Sequence, residues 1–197
     1  MKVDPVAMTV TAHDPVPFEM KVVQLRYRDD IASLLSPDST GIELGVAEGW
    51  FSEALLKTSS IGFLYGVDMY EGDRGHDVEQ YKRALARLTT YRARYALLRM
   101  RFEQALSLFP DEHFDFVYVD GYAHTGEENG KTIHDWYPKV RKGGIFAGDD
   151  YSPRFPLVTK AVDEFAAQYD LKLHVIEFVK GNDWTSQFPG WIVIKPG

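Results

Sequence analysis

Three carboxylates stand at the ends of two apolar segments, in positions where they could share chemistry. Asp120 directly follows the segment 114–119, and Asp149 and Asp150 come just after the segment 144–147. If one right-handed crossover joins these segments as strands, they are parallel neighbours whose carboxyl ends meet at one edge of a sheet. Carboxylates this close raise each other's pKa unless a cation neutralises them, and oxygen ligands suit Mg²⁺. Either the three side chains hold a divalent metal, or Asp120 and Asp149 line a cofactor pocket and Asp150 caps a turn.

A turn with two glycines follows an earlier apolar segment, 41–44. It contains Glu43, Gly45 and Gly49, and Ser52 opens the helical pattern behind it. Glycines let a backbone approach a bound ligand where a Cβ atom would collide. The spacing Gly-x-x-x-Gly differs from the dinucleotide pattern G-x-G-x-x-G, and the Glu43 carboxylate would repel a pyrophosphate. It would suit the cationic methionyl part of S-adenosylmethionine, although an unrelated strand-turn-helix connection is the alternative.

A further acidic residue, Asp68, ends the next apolar segment, 63–67. In Rossmann-type sheets an acidic side chain about 20 positions after the glycine turn accepts hydrogen bonds from ribose hydroxyls. Asp68 has that spacing from Gly49, so we expect it to bind a ribose; a helix-capping role is the alternative.

These features resemble the class I S-adenosylmethionine-dependent methyltransferases, whose first motif reads acidic-x-Gly-x-x-x-Gly. Glu43, Gly45 and Gly49 fall on that motif. The resemblance extends over roughly residues 40 to 195. It implies that residues after the third strand, here Arg101 and Phe102, contact adenine, although Phe102 could equally pack in the core.

The acidic positions resemble more closely the metal-dependent O-methyltransferases, both the catechol and caffeoyl-CoA type and the macrocin O-methyltransferase and cephalosporin hydroxylase-like group. In those families an acidic residue after strand four and a pair after strand five hold the metal, and Asp120, Asp149 and Asp150 stand at the matching places. The resemblance implies Mg²⁺ or another divalent cation as a second cofactor, and places Asp120 also at the S-adenosylmethionine pocket.

One departure concerns the general base. The catechol-type enzymes carry a Lys shortly after the strand-four Asp, whereas here no Lys follows Asp120 until Lys131. The macrocin-like group often has Asp-Gly-x-His, which His124 matches with one residue inserted. A neutral imidazole beside a metal-bound hydroxyl could accept its proton, so His124 is the candidate base. It could also be a hydrogen-bond partner of a carboxylate or an exposed loop residue.

The alternation of strand-like and helix-like segments predicts an α/β fold: a Rossmann-like, mostly parallel seven-stranded sheet with helices on both faces and an antiparallel C-terminal hairpin. The expected strands are 41–44, 63–67, 95–100, 114–119, 144–147, 171–178 and 191–194, and the expected helices are 19–35, 50–57, 76–91, 102–109, 127–140 and 157–169. We expect residues 1–39 to form an arm or lid with a helix, and residues 40–197 to form the cofactor-binding domain.

The loop 181–190 is long for a hairpin connection and carries two large aromatic residues, Trp184 and Phe188. Because strand six is expected to run parallel to the others, this loop should lie at the same edge as the carboxylates. The two rings could wall an acceptor pocket, or they could only cover the end of the sheet.

Composition limits the class of partner. The chain has 197 residues, 45% of them hydrophobic, which is typical of one globular domain. Its formal net charge of −7 opposes a nucleic-acid partner. An arginine cluster, formed by Arg92, Arg94, Arg99 and Arg101, is either a solvated surface or a phosphate or carboxylate contact.

The chain contains no Cys, so any metal must bind oxygen or imidazole ligands. With neither a signal-peptide pattern nor a membrane-length apolar run, we expect a soluble, cytoplasmic protein that does not bind membranes.

The sequence therefore predicts an S-adenosylmethionine-dependent methyltransferase that uses a divalent metal to methylate a hydroxyl on a small molecule. One alternative is a metal-independent methyltransferase for another acceptor, such as a base or a protein, which the acidic charge and the lack of an N/D-P-P-Y tetrad oppose. Another is a non-catalytic S-adenosylmethionine-binding module. Self-association into a homo-oligomer stays open.

Overall fold

The computed structural model describes residues 25–71, 76–120, 128–177 and 188–197. The strands are β1 (Thr40–Leu44), β2 (Phe63–Asp68), β3 (Tyr95–Arg99), β4 (Phe114–Val119), β5 (Val140–Gly148), β6 (His174–Ile176) and β7 (Gly190–Ile194). The α-helices are α1 (Trp50–Thr58), α2 (Val78–Leu88), α3 (Phe102–Leu106), α4 (Lys131–Trp136) and α5 (Pro156–Gln168), and 3₁₀ helices cover Arg28–Leu34, Thr89–Tyr91 and Tyr137–Lys139.

All seven strands form one sheet in the order β3-β2-β1-β4-β5-β7-β6. The first five strands pair in parallel, and β7 runs antiparallel to both β5 and β6. The predicted Rossmann-like fold class and C-terminal antiparallel pair are thus confirmed. The strand order reverses at β1, which lies between β2 and β4, and ligands of open α/β sheets bind beside such a reversal.

Two apolar layers cover the sheet. On one face, the 3₁₀ helix Arg28–Leu34 and the helices α1 and α2 bury side chains such as Ile31, Phe51 and Leu88. On the other face, α3, α4 and α5 pack around Trp136, Phe165 and further rings. Because helices cover both faces, the central strands are almost continuously buried and apolar, which is why they appear in the sequence as short hydrophobic runs.

Several element boundaries differ from the prediction. Strand β5 begins at Val140 because Phe114 pairs with Val140 while Phe116 pairs with Ile145, so β5 carries extra residues at an irregular point. The predicted helix 127–140 is α4 followed by a 3₁₀ turn that contains Pro138. Of the predicted helix 19–35, residues 19–24 lie outside the described residues, and the described part is the 3₁₀ helix Arg28–Leu34. Within the described ranges, no helix has the length and apolar character of a membrane span.

Candidate functional site

The glycine turn connects β1 to α1 in a backbone conformation that requires glycine. Gly45 and Gly49 have φ values of 96° and 79°, in the left-handed region, and Ala47 between them has a φ of 48°. Gly49 is the N-cap of α1, and a Cβ atom there would lie 2.7 Å from Leu88 Cδ1. The two predicted loop glycines are therefore fixed by backbone conformation, and Gly49 also by its close approach to α2.

Asp68 holds this loop against the end of β2. Its Oδ2 atom accepts hydrogen bonds from the Val46 and Ala47 N–H groups, both at 3.0 Å, and its Oδ1 accepts from Tyr70 N–H at 3.0 Å. A carboxylate has about four lone-pair sites, so three backbone bonds leave room for one more donor. The predicted ribose contact is therefore compatible with the geometry, but Asp68 also has a structural role that the sequence did not indicate.

Glu43 and Ser52 lie beneath the loop. Both are buried, with Glu43 1% exposed. The Ser52 hydroxyl donates to the Glu43 carboxyl group and lies 3.2 Å from the Tyr95 hydroxyl. Burial raises the pKa of Glu43 to about 8. The structure thus brings Glu43 and Ser52 together as an internal polar contact that supports the loop from the sheet side.

Arg101 and Phe102 follow β3, and their side chains take different directions. Arg101 is exposed and forms an ion pair of 3.3 Å with Glu71, which follows β2. Phe102 begins α3, packs against the core and lines a cavity between α3 and α4 together with Thr132 and Trp136. Core packing of Phe102, left open by the sequence, is therefore present, and an adenine contact stays a prediction for both residues.

The carboxyl ends of β1, β4 and β5 meet side by side. The Asp120 N–H donates to Leu44 O at 2.8 Å, and the Asp149 N–H donates to Val119 O at 3.2 Å. The predicted parallel pairing of β4 and β5 is confirmed, and with it the proximity of Asp120 and Asp149. Asp150 follows with a left-handed φ of 61° and is partly buried.

An arginine that no sequence motif indicates joins these carboxylates. Arg28 Nη1 donates to Asp120 Oδ2 at 2.5 Å and to Asp149 Oδ2 at 2.9 Å. Its side chain is 11% exposed, and its guanidinium lies over the Phe51 ring, 4.7 Å from the centroid. No local sequence pattern indicates this contact, because Arg28 precedes the first strand and lies near Asp120 and Asp149 only in the folded chain.

The charges in this cluster depend on one another. Burial and the neighbouring Asp120 raise the pKa of Asp149 well above its usual value, and Arg28 opposes that rise. Burial lowers the pKa of Arg28, but the charge of Asp120 and its neighbours more than compensates and raises it, so Arg28 stays protonated. Burial, and then the charge of Asp149, raises the pKa of the Tyr118 hydroxyl, which lies beside the same groups.

Some hydrogen-bonding capacity in the cluster is unused. Arg28 Nε, Asp149 Oδ1 and Tyr118 Oη are buried, and none has a well-directed hydrogen bond within the part of the chain that the structure describes. Buried polar atoms in native proteins nearly always have partners, so such atoms indicate a place where a ligand or water binds.

The predicted metal site does not fit the arrangement of the described residues. The Arg28 guanidinium lies between the Asp120 and Asp149 carboxylates, where a metal ion would contact their oxygens. Among the residues 25–71, 76–120, 128–177 and 188–197, no three His, Asp or Glu side chains are arranged to hold an ion. The candidate base His124 lies outside the described residues.

The end of the loop before β7 reaches the same edge. Tyr151 N–H, just after β5, donates to Pro189 O at 2.8 Å. The Phe188 ring packs edge-on against Phe155, with centroids 4.8 Å apart, and Arg154 stacks on it. The expected location of this loop is thus supported at Phe188, which makes packing contacts, while Trp184 lies outside the described residues.

Comparisons with known proteins show the family and the fold. A family model described as a methyltransferase domain matches residues 40–151, more than half of the chain. No curated protein gives a significant match.

Solved structures share the fold at low identity. A Klebsiella pneumoniae protein assigned provisionally as an O-methyltransferase has a TM-score of 0.66 and 15% identity, covering 94% of this chain and 83% of its own. An O-methyltransferase from Bacillus cereus in complex with SAH has a TM-score of 0.62 and 15% identity, covering 93% and 84%. An rRNA methylase from Streptococcus thermophilus has a TM-score of 0.60 and 15% identity, covering 94% and 100%.

Proposed function

This chain belongs to the methyltransferase domain family and is an S-adenosylmethionine-dependent methyltransferase, and on that premise we propose that it methylates a hydroxyl oxygen of a small molecule. The observation that carries the proposal is the polar cluster at the end of β4 and β5, next to the glycine turn. It offers a buried unused donor, Arg28 Nε, and a buried unused acceptor, Asp149 Oδ1. A hydroxyl group both accepts and donates, so it satisfies such a pair.

The cofactor half of the site is the glycine turn and the end of β2. We assign the ribose to Asp68, whose Oδ1 atom accepts one hydrogen bond where two can be accepted. The methionyl part would lie along the turn from Gly45 to Gly49, above the buried Glu43 and Ser52. Arg101 and Phe102, after β3, would lie on the adenine side.

The acceptor half is the cluster of Arg28, Asp120 and Asp149. When bound, S-adenosylmethionine supplies a methyl group activated by its sulfonium charge. The methyl group would pass from the sulfonium sulfur to the acceptor oxygen, and the hydroxyl proton would leave to a base. Arg28, Asp120 and Asp149 would hold the acceptor oxygen, so the contribution of this chain would be mostly positioning and charge stabilisation. His124 stays the predicted base.

The fold neighbours and the charge favour a small acceptor. Two of the solved relatives named above are described as O-methyltransferases, and one as an rRNA methylase. The net charge of −7 disfavours an RNA acceptor, because non-specific affinity for nucleic acid depends on phosphates neutralised by Lys and Arg.

Calorimetry and a methyl-transfer assay test this function. Wild-type protein is titrated with S-adenosylmethionine and then assayed with labelled cofactor against catechols, simple phenols, sugars, amines and RNA. We expect cofactor binding and transfer to at least one hydroxyl compound. Transfer only to amines or RNA would contradict O-methylation, and cofactor binding without any transfer would favour a non-catalytic binding module.

A further inference from the structure

The cation that the two carboxylates require is part of the chain itself. Arg28 lies 92 residues before Asp120 and 121 before Asp149, and one of its nitrogens donates to both. Building on the proposed function, we propose that Arg28 is the resident cation of the acceptor site. Its guanidinium holds Asp120 and Asp149 together in the place predicted for a divalent metal, and it orients the acceptor hydroxyl. Methyl transfer by this chain therefore needs no divalent metal.

The backbone around Arg28 fixes its position. The Asp30 carboxylate accepts from the N–H groups of Arg26 and Tyr27, at 2.8 and 2.9 Å, and so shapes the turn that carries Arg28. Ile31, in the same 3₁₀ helix, is fully buried in the core. The guanidinium is also confined by the Phe51 ring. These contacts fix the segment that carries Arg28, so its guanidinium is held next to the carboxylates before any ligand binds.

Arg28 and a metal ion would compete for the same oxygen atoms. The guanidinium contacts Oδ2 of Asp120 and Oδ2 of Asp149. A divalent cation placed there would face a buried positive charge at contact distance, and like charges in a poorly hydrated site repel strongly.

Two buried atoms without hydrogen-bond partners in the described part of the chain indicate which hydrogen bonds the acceptor would make. Arg28 Nε is a donor and Asp149 Oδ1 is an acceptor, and both belong to one ion pair. A hydroxyl group both donates and accepts, so its hydrogen-bonding chemistry is complementary to that pair. A metal-centred site would instead favour two adjacent hydroxyls, one for each open coordination position. We therefore expect acceptors with one hydroxyl to be methylated as readily as their catechol counterparts.

Mn²⁺ binding tests the proposal independently of turnover. Mn²⁺ alone is titrated, by electron paramagnetic resonance, into wild-type protein, Arg28→Met and Arg28→Lys. Met removes the charge while keeping the length of the side chain, and Lys keeps the charge. Arg26→Met is the matched control, because Arg26 is exposed and donates to Asp30 through its backbone N–H group.

We expect Arg28→Met to bind Mn²⁺ at least about tenfold more tightly than wild type, and the double variant Arg28→Met/Asp149→Asn to lose that gain. Arg28→Lys and Arg26→Met should bind as weakly as wild type. Equal affinity of wild type and Arg28→Met, whether tight or weak, would overturn the proposal.

A second measurement covers the case in which Arg28→Met does not fold. Wild-type protein alone is then titrated with Mn²⁺ beside Asp149→Asn. Weak binding that Asp149→Asn leaves unchanged supports the proposal, and tight binding that Asp149→Asn abolishes contradicts it. Calorimetry with S-adenosylmethionine, with and without a chelator, separates the two proposals. Absence of cofactor binding in both conditions would count against the proposed function, whereas loss of binding only with the chelator would count against Arg28 as the resident cation.

Discussion

The hydroxyl of Tyr70 donates a 2.9 Å hydrogen bond to the carbonyl oxygen of Ala47, in the middle of the glycine turn. Tyr70 is buried, and Ala47 has a left-handed backbone, so this bond helps to hold an unfavourable conformation. We expect Tyr70→Phe to lower the free energy of unfolding by about 1 kcal/mol and to weaken S-adenosylmethionine binding severalfold. Urea denaturation and calorimetry measure the two effects. Tyr91→Phe, at the opposite edge of the sheet, is the control and should leave cofactor affinity unchanged.

Replacement of Asp68 should affect both folding and binding. Asp68→Ala leaves three backbone N–H groups without their acceptor, so we expect a loss of stability of about 1–3 kcal/mol together with weaker S-adenosylmethionine binding. Asp68→Asn keeps one oxygen for Val46 and Ala47 and should be less destabilised. If the folded fraction of Asp68→Ala bound the cofactor as tightly as wild type, the ribose assignment would be wrong.

The glycine at position 49 can be tested against a glycine in a similar backbone conformation. Gly49 and Gly143 have φ values of 79° and 73°, but a Cβ atom at Gly49 would lie 2.7 Å from Leu88, whereas Gly143 has open space around it. Both Ala variants should lose about 1 kcal/mol from the left-handed backbone, and Gly49→Ala about 1–3 kcal/mol more from the collision. Denaturation curves of the two variants decide this. Equal losses would show that Leu88 moves aside without cost.

The buried Glu43 predicts a specific dependence of stability on pH. Folding raises the pKa of this carboxyl group from 4.5 to about 8, mainly through burial. Its contribution to stability is therefore fully present below about pH 4.5 and is lost as the pH rises through 8. Glu43→Gln removes this titration, so the variant should gain stability relative to wild type as the pH rises, by an amount on the order of a few kcal/mol.

Urea denaturation of both proteins at acidic, neutral and alkaline pH gives the difference that isolates Glu43, because every other titrating group is common to the two chains. A difference that stays constant across that range would mean that Glu43 remains ionised in the folded protein.

The sequence was sufficient to predict the sheet and the residues at its carboxyl edge. A short apolar run followed by Asp68, Asp120 or Asp149 predicts both a strand and a carboxylate at its end. Because the strands are parallel neighbours, these carboxylates lie at the same edge of the sheet. The direction of a side chain was harder to predict. Glu43 precedes the glycine turn as expected, but strand alternation turns its carboxyl group toward α1 and Ser52.

Arg28 could not be predicted from local pattern. It is one of 22 basic residues, and neither its neighbours nor its spacing distinguish it from a surface arginine. Its partners lie 92 and 121 residues away, so only the tertiary fold brings the charges together. Acidic residues at strand ends indicate that a cation is required, but they do not indicate whether the cation is an ion or a side chain.

The position of β7 between β5 and β6 has a consequence for biosynthesis. During translation β5 and β6 leave the ribosome before the strand that joins them, so each has an unpaired edge in the nascent chain. The ring of Phe146 in β5 also lacks its partner until Trp191 has been synthesised. In the folded protein these two rings pack edge-on, with their centroids 5.3 Å apart. Unpaired strand edges and exposed aromatic rings favour association with other chains. A ribosome that pauses between β6 and β7 would therefore leave a nascent chain that exposes these surfaces until β7 has been released.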